Sequence, residues 1–386
     1  MPSSVDRSMV CSRCVMDGAT AGITFDAAGQ CNYCSEFLAR WDRLSLPGRR
    51  DQSAALAEFV GQVKSAGQRR TYDCVVGVSG GVDSSWVLVN AVRMGLRPLA
   101  VHMDNGWNSE LAQNNIANLV RGLGVDLYTH VIDWPEYRGL MQAFFDADVI
   151  DVELLYDNAM LAVNYRQAVS HRLRYILGGT NESTEGMRMP PGWNWNKTDS
   201  VNIRDISYRH KGPRLRSFPA ISRVSRMWLS AFRRIRWVSF LDHFDYTKNS
   251  ALEELSSKFG YKPYPYKHYE SVFTRFYQGY ILPRKFNVDK RRLHLSVLVV
   301  TGQLSRDAAL ADLRSPPYSS EEAMESDRAY FLKKMGWSAA QLDEYLRRPG
   351  RPHTDFRTEL WWGRAMRSLL TRDVAGFGPR VRTAGN

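Results

Sequence analysis

The clearest pattern in the chain is a series of short apolar runs that alternate with helical patterns between residues 73 and 177. The runs are predicted strands, and they lie at 73–78, 97–103, 125–132 and 174–177. Apolar residues at helical spacing follow each of the first three strands. They extend to about Met94 after the first strand, over 109–121 after the second and from about 136 to 172 after the third. This alternation predicts an α/β fold with a doubly wound parallel sheet. Such sheets bind ligands at the carboxyl ends of their strands.

The patterns outside this region differ from it and predict further parts of the chain. Residues 248–348 show helical periodicity, with a predicted start near Ser319 and a capping box at Ser338 and Gln341. The predicted organisation is an N-terminal metal ribbon over 1–40, a helical linker over 41–70, the sheet domain over 71–186, an irregular basic segment over 187–247 and a mostly helical region over 248–386.

Four of the five cysteines form two closely spaced pairs near the N-terminus. The pairs Cys11–Cys14 and Cys31–Cys34 give the spacing C-x2-C-x16-C-x2-C, which can close a tetrahedral site. We expect a structural zinc ion here, since four thiolates leave no open position for chemistry. Two disulfides or an iron–sulfur cluster are the alternatives. The fifth cysteine, Cys74, lies inside the first predicted strand, where a buried structural thiol is expected.

A glycine-rich turn joins the first predicted strand to the first helix of the sheet domain. It reads Ser79-Gly80-Gly81-Val82-Asp83-Ser84-Ser85 and directly follows Val78. Free backbone N–H groups at a helix start, two adjacent glycines and serine hydroxyls favour the binding of a phosphate group. A solvated strand-to-helix turn is the alternative.

Acidic residues follow the fourth predicted strand, in the run Gly179-Thr180-Asn181-Glu182-Ser183-Thr184-Glu185. A magnesium ion beside phosphates needs hard oxygen ligands, so Asp83 and Glu185 form a plausible pair. An exposed helix start at Ser183 is the alternative interpretation.

Composition and charge narrow the class of protein. With 44% hydrophobic and 24% charged residues, the chain has an ordinary soluble composition. It has no long apolar run and no apolar core of a signal peptide, so we expect a cytoplasmic protein without a membrane span. The net charge of +12 comes mostly from residues 204–236, which hold ten Lys or Arg and one acid. This patch could dock a partner, attract an anionic substrate or be a solvated face.

Together these motifs resemble a superfamily of proteins and one family within it. The turn after Val78 matches SGGxDS, the PP-loop of the ATP pyrophosphatases. The cysteine pairs, the run Met103-Asp104-Asn105-Gly106-Trp107-Asn108-Ser109-Glu110 and the run from Lys267 to Gln278 resemble the bacterial N-acetyl sugar amidotransferases of the WbpG type. The resemblance covers about residues 10–315.

The resemblance implies ATP as a bound nucleotide, Mg²⁺ as its ion, and specific roles for residues. The implied catalytic residues are Asp83, Ser84 and Glu185. The implied ATP-binding or pyrophosphate-binding residues are Val78, Ser79, Gly80, Gly81, Val82, Asp83, Ser84, Ser85, Asp104, Gly179 and Thr180. The implied substrate-binding residues are Asn105, Trp107, Lys267, Glu270, Thr274, Arg275 and Gln278, of which Glu270, Thr274 and Gln278 would share a helical face. An ordinary surface helix is the alternative for that last group.

The implied activity converts an acetamido group on a nucleotide-linked sugar into an acetamidino group through an O-adenylyl imidate, in O-antigen or surface-polysaccharide synthesis. Glutamine hydrolysis usually needs a reactive cysteine, and Cys74 has no exposed context, so we expect a separate glutaminase to supply ammonia. A tRNA-thiolating PP-loop enzyme and a non-catalytic zinc-ribbon adaptor are the alternatives. A thiolating enzyme commonly needs further cysteines, and a non-catalytic adaptor would not need the glycine-rich loop. We also expect no nucleic-acid partner.

Overall fold

The centre of the protein is a parallel five-stranded β-sheet. The computed structural model describes residues 6–45, 52–264 and 269–360. The strands are β1 (Cys74–Gly77), β2 (Pro98–Asp104), β3 (Leu127–Val131), β4 (Tyr175–Gly178) and β5 (Arg236–Ser239). Their order is β3-β2-β1-β4-β5, and all four neighbouring pairs are parallel. The predicted α/β class with a doubly wound parallel sheet is therefore confirmed.

The strand order explains where a ligand can bind. The chain runs outward from β1 through β2 to β3, then crosses back to place β4 on the other side of β1. Connections that leave neighbouring strands in opposite directions open a crevice at their carboxyl ends. The glycine-rich loop follows β1 and the Gly179–Thr180 turn follows β4, so both turns border this crevice.

Helices cover both faces of the sheet and form the C-terminal region. They are α1 (Asn32–Ser45), α2 (Gln52–Gly67), α3 (Val82–Arg93), α4 (Glu110–Leu123), α5 (Trp134–Asp146), α6 (Leu154–Ser170), α7 (Glu182–Glu185), α8 (Ser200–Arg209), α9 (Arg223–Phe232), α10 (Lys248–Phe259), α11 (Val272–Phe276), α12 (Arg291–Val300), α13 (Arg306–Arg314), α14 (Glu321–Met335) and α15 (Ala339–Arg347), with a π-helix over Tyr277–Phe286 and 3₁₀ turns at Phe240–His243 and His353–Asp355.

Successive residues of β1 contribute to different cores because strand side chains alternate between faces. Val75 belongs to a core formed with α5, α6 and the late helices. Cys74 and Val76 belong to a second core formed with α2, α3 and α10. Among the described residues, no helix is both long and apolar enough to cross a bilayer.

The structure corrects two expectations about regular structure. The segment 187–247 is not irregular, because it contains α8, α9 and β5. A search for apolar runs misses β5 since it is an edge strand whose side chains are at most partly buried. The helical pattern from 136 to 172 is interrupted between α5 and α6, where Asp148 has a positive φ of 54°. The carboxylate of Asp148 pairs there with Lys285 and Arg348.

The N-terminal cysteine segment is fixed against the C-terminal helices. Arg306 of α13 donates hydrogen bonds to the carbonyls of Cys11 and Cys14, at 2.8 and 3.1 Å. Arg292 of α12 donates to the carbonyl of Val15 at 3.0 Å and pairs with Asp17. The segment thus supports α12 and α13 directly, although they lie nearly 300 residues away in sequence. The boundaries of the five predicted parts remain predictions.

Candidate active site

The glycine-rich loop has the backbone form of a phosphate-binding turn. Gly80 adopts a φ of +85°, which favours glycine, and a Cβ there would lie 2.9 Å from the carbonyl oxygen of Ala112. Gly81 is the N-cap of α3 and has no side chain with which to cap it. The first N–H groups of α3 therefore depend on other partners or on a ligand.

Serine hydroxyls hold the loop in shape. The hydroxyl of Ser84 accepts from the backbone N–H of Ser79 and donates to the carbonyl of Gly81, both at 3.2 Å. The hydroxyls of Ser79 and Ser84 lie 3.2 Å apart, and Ser79 also accepts from the N–H of Gly81. Ser85 is only 1% exposed and faces the protein interior, so Ser79 and Ser84 are the loop serines on the cavity side.

Three tyrosines from the segment around α10 donate hydrogen bonds to the loop. The hydroxyls of Tyr261 and Tyr264 donate to the carbonyl of Gly80, at 3.0 and 3.1 Å. The hydroxyl of Tyr246 donates to the carboxylate of Asp83. Burial, followed by the charge of Asp83, raises the pKa of Tyr246, so this phenol stays protonated as a donor. The sequence analysis missed these tyrosines because they lie more than 150 residues from the loop.

The turn after β4 closes the opposite side of the loop. A Cβ on Gly179 would lie 2.9 Å from the backbone nitrogen of Ser84, so the two turns are in close contact. Asn181 caps α7 by accepting from the N–H of Thr184 at 2.9 Å. This single helical turn sets the position of Glu185.

A cavity of about 220 Å³ lies above these two turns, and we call it the loop cavity. Its walls are formed by Ser79, Gly81, Val82, Asp83, Ser84, Gly179, Thr180, Glu185, Lys248, Leu252, Tyr264 and Glu270. The structure thus brings Asp83 and Glu185 to one cavity, as the sequence analysis expected. Lys248 is the one cation in its described walls, and no sequence motif pointed to it.

The two carboxylates fit a magnesium ion that accompanies a nucleotide. Mg²⁺ is usually held by one or two carboxylates together with substrate phosphates and water. Asp83 and Glu185 would supply those oxygens, and the bound ion would neutralise phosphate charge.

A second cavity, of about 480 Å³, adjoins the loop cavity at Ser79, Glu185 and Glu270, and we call it the sheet-side cavity. Most residues in its remaining walls have polar side chains, among them Asn105 and Asn108 from the turn after β2. Two lysines in these walls, Lys290 buried and Lys197 partly exposed, are paired with carboxylates. Lys197 pairs with Asp151 and Asp157, at 2.7 and 2.9 Å, and Lys290 pairs with Glu153 at 2.7 Å. Burial lowers the pKa of Lys197, but the charges of Asp151 and Asp157 outweigh it and raise the pKa overall.

A third cavity, of about 680 Å³, is lined entirely by residues between 247 and 317, and we call it the helical cavity. It meets the loop cavity at Lys248, Leu252 and Tyr264. It meets the sheet-side cavity at Thr274, Gln278, Lys290 and His294. The three cavities therefore meet pairwise around the loop.

The predicted substrate residues converge, but not as one face of an α-helix. Glu270 precedes α11, Thr274 lies within it, and Gln278 lies in the π-helix. Thr274 and Gln278 separate the sheet-side and helical cavities, while Glu270 borders the loop cavity. Gln278 donates to both oxygens of Glu153, at 2.9 and 3.0 Å. The change of helical period explains why the i, i+4 argument gives the wrong geometry but the right neighbourhood.

Other predicted residues have structural contacts that the sequence did not reveal. Arg275 lines the helical cavity but forms a bidentate pair with Asp327 of α14. Asp104 accepts from the N–H of Gly106 at 2.8 Å and lines none of the three cavities described above. Trp107 is fully buried among aromatic side chains, whereas Asn105 lines the sheet-side cavity. Lys267 lies outside the described residues. The roles of these residues remain predictions.

Two of the motifs that carried the resemblance are paired with each other. Asn108 and Ser271 form an isolated antiparallel bridge. The N–H of Ser109 donates to the carbonyl of Glu270 at 2.8 Å, and that of Val272 donates to the carbonyl of Trp107 at 2.9 Å. This pairing fixes the start of α11 at the carboxyl end of the sheet.

The four N-terminal cysteines form a compact cluster that could hold a metal ion. All four are buried, and their sulfurs lie within 4.8 Å of one another. Cys11 and Cys34 are 3.9 Å apart, and Cys14 and Cys31 are 3.8 Å apart. A tetrahedral site with Zn–S bonds of about 2.3 Å places its sulfurs about 3.8 Å apart. The N–H groups of Arg13, Cys14, Met16, Cys31 and Cys34 approach these sulfurs at 3.2–3.5 Å.

These contacts suit thiolates bound to a tetrahedral ion and do not suit disulfides, since all five cysteines are free. The fifth, Cys74, is completely buried, and burial raises the pKa of its thiol.

The basic segment lies away from the cavities. None of the described residues between 204 and 236 lines any of the three. Its helix α9 has no buried residue and exposes four large apolar side chains, Val224, Met227, Trp228 and Phe232.

The fold and the loop together define a parallel α/β protein with a PP-loop at the crevice beside β1. Residues 270–368 match the family model described as LPS biosynthesis protein WbpG-like, C-terminal domain. The C-terminal part of the chain is therefore similar to a WbpG-like domain, which confirms the resemblance inferred from the sequence over 270–315. The match continues to residue 368, beyond the range in which the sequence analysis found a resemblance.

Two solved structures are also similar in part. An NMN synthetase from Francisella tularensis is 17% identical, with 57% of this chain and 98% of that chain covered and a TM-score of 0.29. An NH3-dependent NAD synthetase from Campylobacter jejuni subsp. jejuni NCTC 11168, in complex with nitrate, is 14% identical, with 54% and 84% covered and a TM-score of 0.29. Scores this low carry no conclusion about this chain. No curated protein sequence matches it.

Proposed function

We propose that the protein is an ATP-dependent N-acetyl sugar amidotransferase that converts the acetamido group of a nucleotide-linked sugar into an acetamidino group, in O-antigen or surface-polysaccharide synthesis. The observation that carries the proposal is the loop cavity. It combines a PP-loop, three carboxylates and a lysine, and it adjoins two cavities that are lined in part by residues of the region matching the WbpG-like family model.

The chemistry needs positioning and charge neutralisation more than a nucleophilic side chain. The acetamido oxygen attacks the α-phosphorus of ATP, the bond to the β-phosphate oxygen breaks, and pyrophosphate leaves. Ammonia then adds to the imidate carbon, the C–O bond breaks, and AMP leaves with its electron pair. The amidine keeps the new nitrogen, and the surplus proton passes to solvent.

The residues of the loop cavity suit these steps. Backbone N–H groups at the start of α3 and the ammonium group of Lys248 can hold the departing pyrophosphate. Asp83 and Glu185 would hold Mg²⁺, and an ion bound there would neutralise phosphate charge. Tyr246 keeps Asp83 oriented by its hydrogen bond.

Ammonia from a separate glutaminase fits the cysteine chemistry of the chain. Among the described residues, none of the five cysteines lines the three cavities. We place the glutaminase on α9, whose apolar side chains are exposed beside arginines. Asn158 holds the segment that precedes α9 beside the sheet-side cavity wall, since its amide donates to the carbonyls of Ile221 and Lys197 at 2.7 and 2.8 Å.

The direct test incubates the purified protein with ATP, an ammonium salt and a panel of nucleotide-linked diacetamido sugars. We expect AMP, pyrophosphate and a product lighter by the difference between oxygen and NH. ADP or unmodified sugar with every member of the panel would contradict the proposal. No observation favours tRNA thiolation, because the four clustered cysteines are closed around one another and Cys74 is buried.

A further inference from the structure

The sheet-side and helical cavities differ in the sign of their charge. The walls of the helical cavity contain four cations, Lys248, Arg275, Lys290 and Arg291, and two carboxylates, Asp289 and Asp312. The walls of the sheet-side cavity contain four carboxylates, Glu153, Asp157, Glu185 and Glu270, and two lysines, Lys197 and Lys290. With histidine neutral, the formal charges are thus +2 and −2.

This difference persists when ion-pair partners behind the walls are included. Asp327, which pairs with Arg275, and Glu153, which pairs with Lys290, bring the helical cavity to a formal charge of zero. Asp151, which pairs with Lys197, makes the sheet-side cavity more negative. The separation of charge is therefore a property of the surroundings as well as of the walls. An anionic group gains more from the helical cavity than from its neighbour.

The amidotransferase reaction brings two nucleotides to one loop, and their parts differ in charge. ATP places its phosphates in the loop cavity, so the part that extends away from the loop is the uncharged adenosine. The acceptor carries its own diphosphate, which must lie outside the loop cavity while ATP is bound. One neighbouring cavity must therefore accept a neutral nucleoside and the other an anionic diphosphate.

We propose, on the basis of the proposed function, that the helical cavity binds the nucleoside diphosphate part of the acceptor and that the sheet-side cavity binds the adenosine of ATP. At about 680 Å³ the helical cavity has the size of a pocket for a large ligand. The sheet-side cavity offers the amide of Asn194 for an adenine edge and carboxylates for ribose hydroxyls.

The boundary between the loop and helical cavities then marks where the acceptor reacts. Lys248, Leu252 and Tyr264 belong to both. An acetamido group at this boundary faces the loop cavity, where the α-phosphate follows the pyrophosphate. Lys248 thus lies between two sets of phosphates, and it positions both.

Two substitutions that fill one cavity each test the assignment. Leu298 lines only the helical cavity of the three, and Met189 lines only the sheet-side cavity. Calorimetry would measure two affinities for Leu298→Trp, Met189→Trp and the unchanged protein. The first is for a non-hydrolysable ATP analogue with Mg²⁺. The second is for UDP, GDP, CDP and dTDP, each added after the analogue has saturated the protein.

We expect at least one of the four diphosphates to bind the unchanged protein beside the analogue. Leu298→Trp should weaken that binding at least tenfold and change the affinity for the analogue less than twofold. Met189→Trp should show the reverse pattern. Asn249→Glu adds a negative charge at an exposed position in the helical cavity, so it should weaken diphosphate binding without a risk to folding.

Absence of binding by all four diphosphates, or loss of analogue binding in Leu298→Trp with diphosphate binding retained, would overturn the assignment. An unaltered diphosphate affinity in Asn249→Glu would also overturn it. Thermal unfolding of each variant would detect a folding defect. If a tryptophan variant is misfolded, the diphosphate affinity of Asn249→Glu tests the assignment instead. These are binding measurements, so they are independent of turnover. Absence of amidotransfer with this binding pattern intact would refute the proposed function and leave the two nucleotide sites standing.

Discussion

The loop cavity and the helical cavity are built in opposite ways. The loop cavity depends on backbone geometry in two short turns, 79–84 and 179–185, each of which follows a buried strand. The helical cavity depends on side chains from 247–317, which only the packing of several helices brings together. A site built from backbone groups tolerates the loss of one hydroxyl. Replacement of a charged side chain around the packed cavity instead leaves the ion-pair partner of that side chain unpaired.

The largest expected effect is at the carboxylate of the backbone site. We expect Asp83→Asn to lower AMP and pyrophosphate formation by at least about 10²–10³-fold, because it removes charge where the magnesium–phosphate complex must be balanced. The far-ultraviolet circular dichroism and unfolding temperature should stay close to those of the unchanged protein. Turnover at the original rate would remove this carboxylate from the mechanism.

The second prediction concerns the source of nitrogen. The isolated chain should turn over with ammonium but not with glutamine, and a glutaminase partner should restore the use of glutamine. At subsaturating ammonium the rate should rise with pH toward the pKa of ammonium, since free ammonia is the nucleophile. Cys74→Ser should keep the ammonium-dependent activity, because that thiol is buried.

Substitutions on α9 sharpen this prediction. Trp228→Ala combined with Phe232→Ala should reduce glutamine-dependent turnover in the presence of the partner and leave ammonium-dependent turnover unchanged. Val131→Ser, at another exposed apolar side chain on β3, is the matched control. Equal loss of both activities would mean that α9 does not dock the glutaminase.

The cysteine cluster near the N-terminus lies in a segment that contacts helices α12 and α13 of the C-terminal region. Cys31→Ser should release one zinc ion per chain and lower the unfolding temperature, because a closed metal site contributes folding free energy. Since the ribbon holds α12 through Arg292, affinity for the nucleotide sugar should fall more than affinity for ATP. Atomic absorption and calorimetry would measure these effects, and iron in place of zinc would contradict the assignment.

A smaller effect is expected at Tyr246. Tyr246→Phe removes a donor from Asp83 and should reduce kcat a few-fold to tenfold, as the loss of a hydrogen bond to a charged group does. The Michaelis constant for the nucleotide sugar should not change, which separates an effect on the loop from a general loss of structure.

The smallest effect should come from Ser84→Ala. Backbone donors remain at the start of α3, so we expect kcat to fall less than tenfold. A loss as large as that of Asp83→Asn would show that the hydroxyl, rather than the backbone, holds the phosphates.

The difference between the two cavities also determines what the sequence can predict. Strands β1 to β4, the loop with Asp83 and the turn with Glu185 are recognisable because each is a short motif of consecutive residues. Lys248, Tyr246 and Lys290 are not, since they reach the site only through tertiary packing. The substrate run from Glu270 to Gln278 was recognisable as a cluster, but the π-helix changed which side chains share a wall.

Transfer of an oxygen atom tests the central claim most directly. A nucleotide sugar with ¹⁸O in the reacting acetamido carbonyl would be incubated with ATP, ammonium and the purified protein, and the products analysed by mass spectrometry. An O-adenylyl imidate requires that the label leave with AMP, so labelled AMP and unlabelled pyrophosphate are the predicted result. Unlabelled AMP, or label in inorganic phosphate together with ADP, would contradict the mechanism.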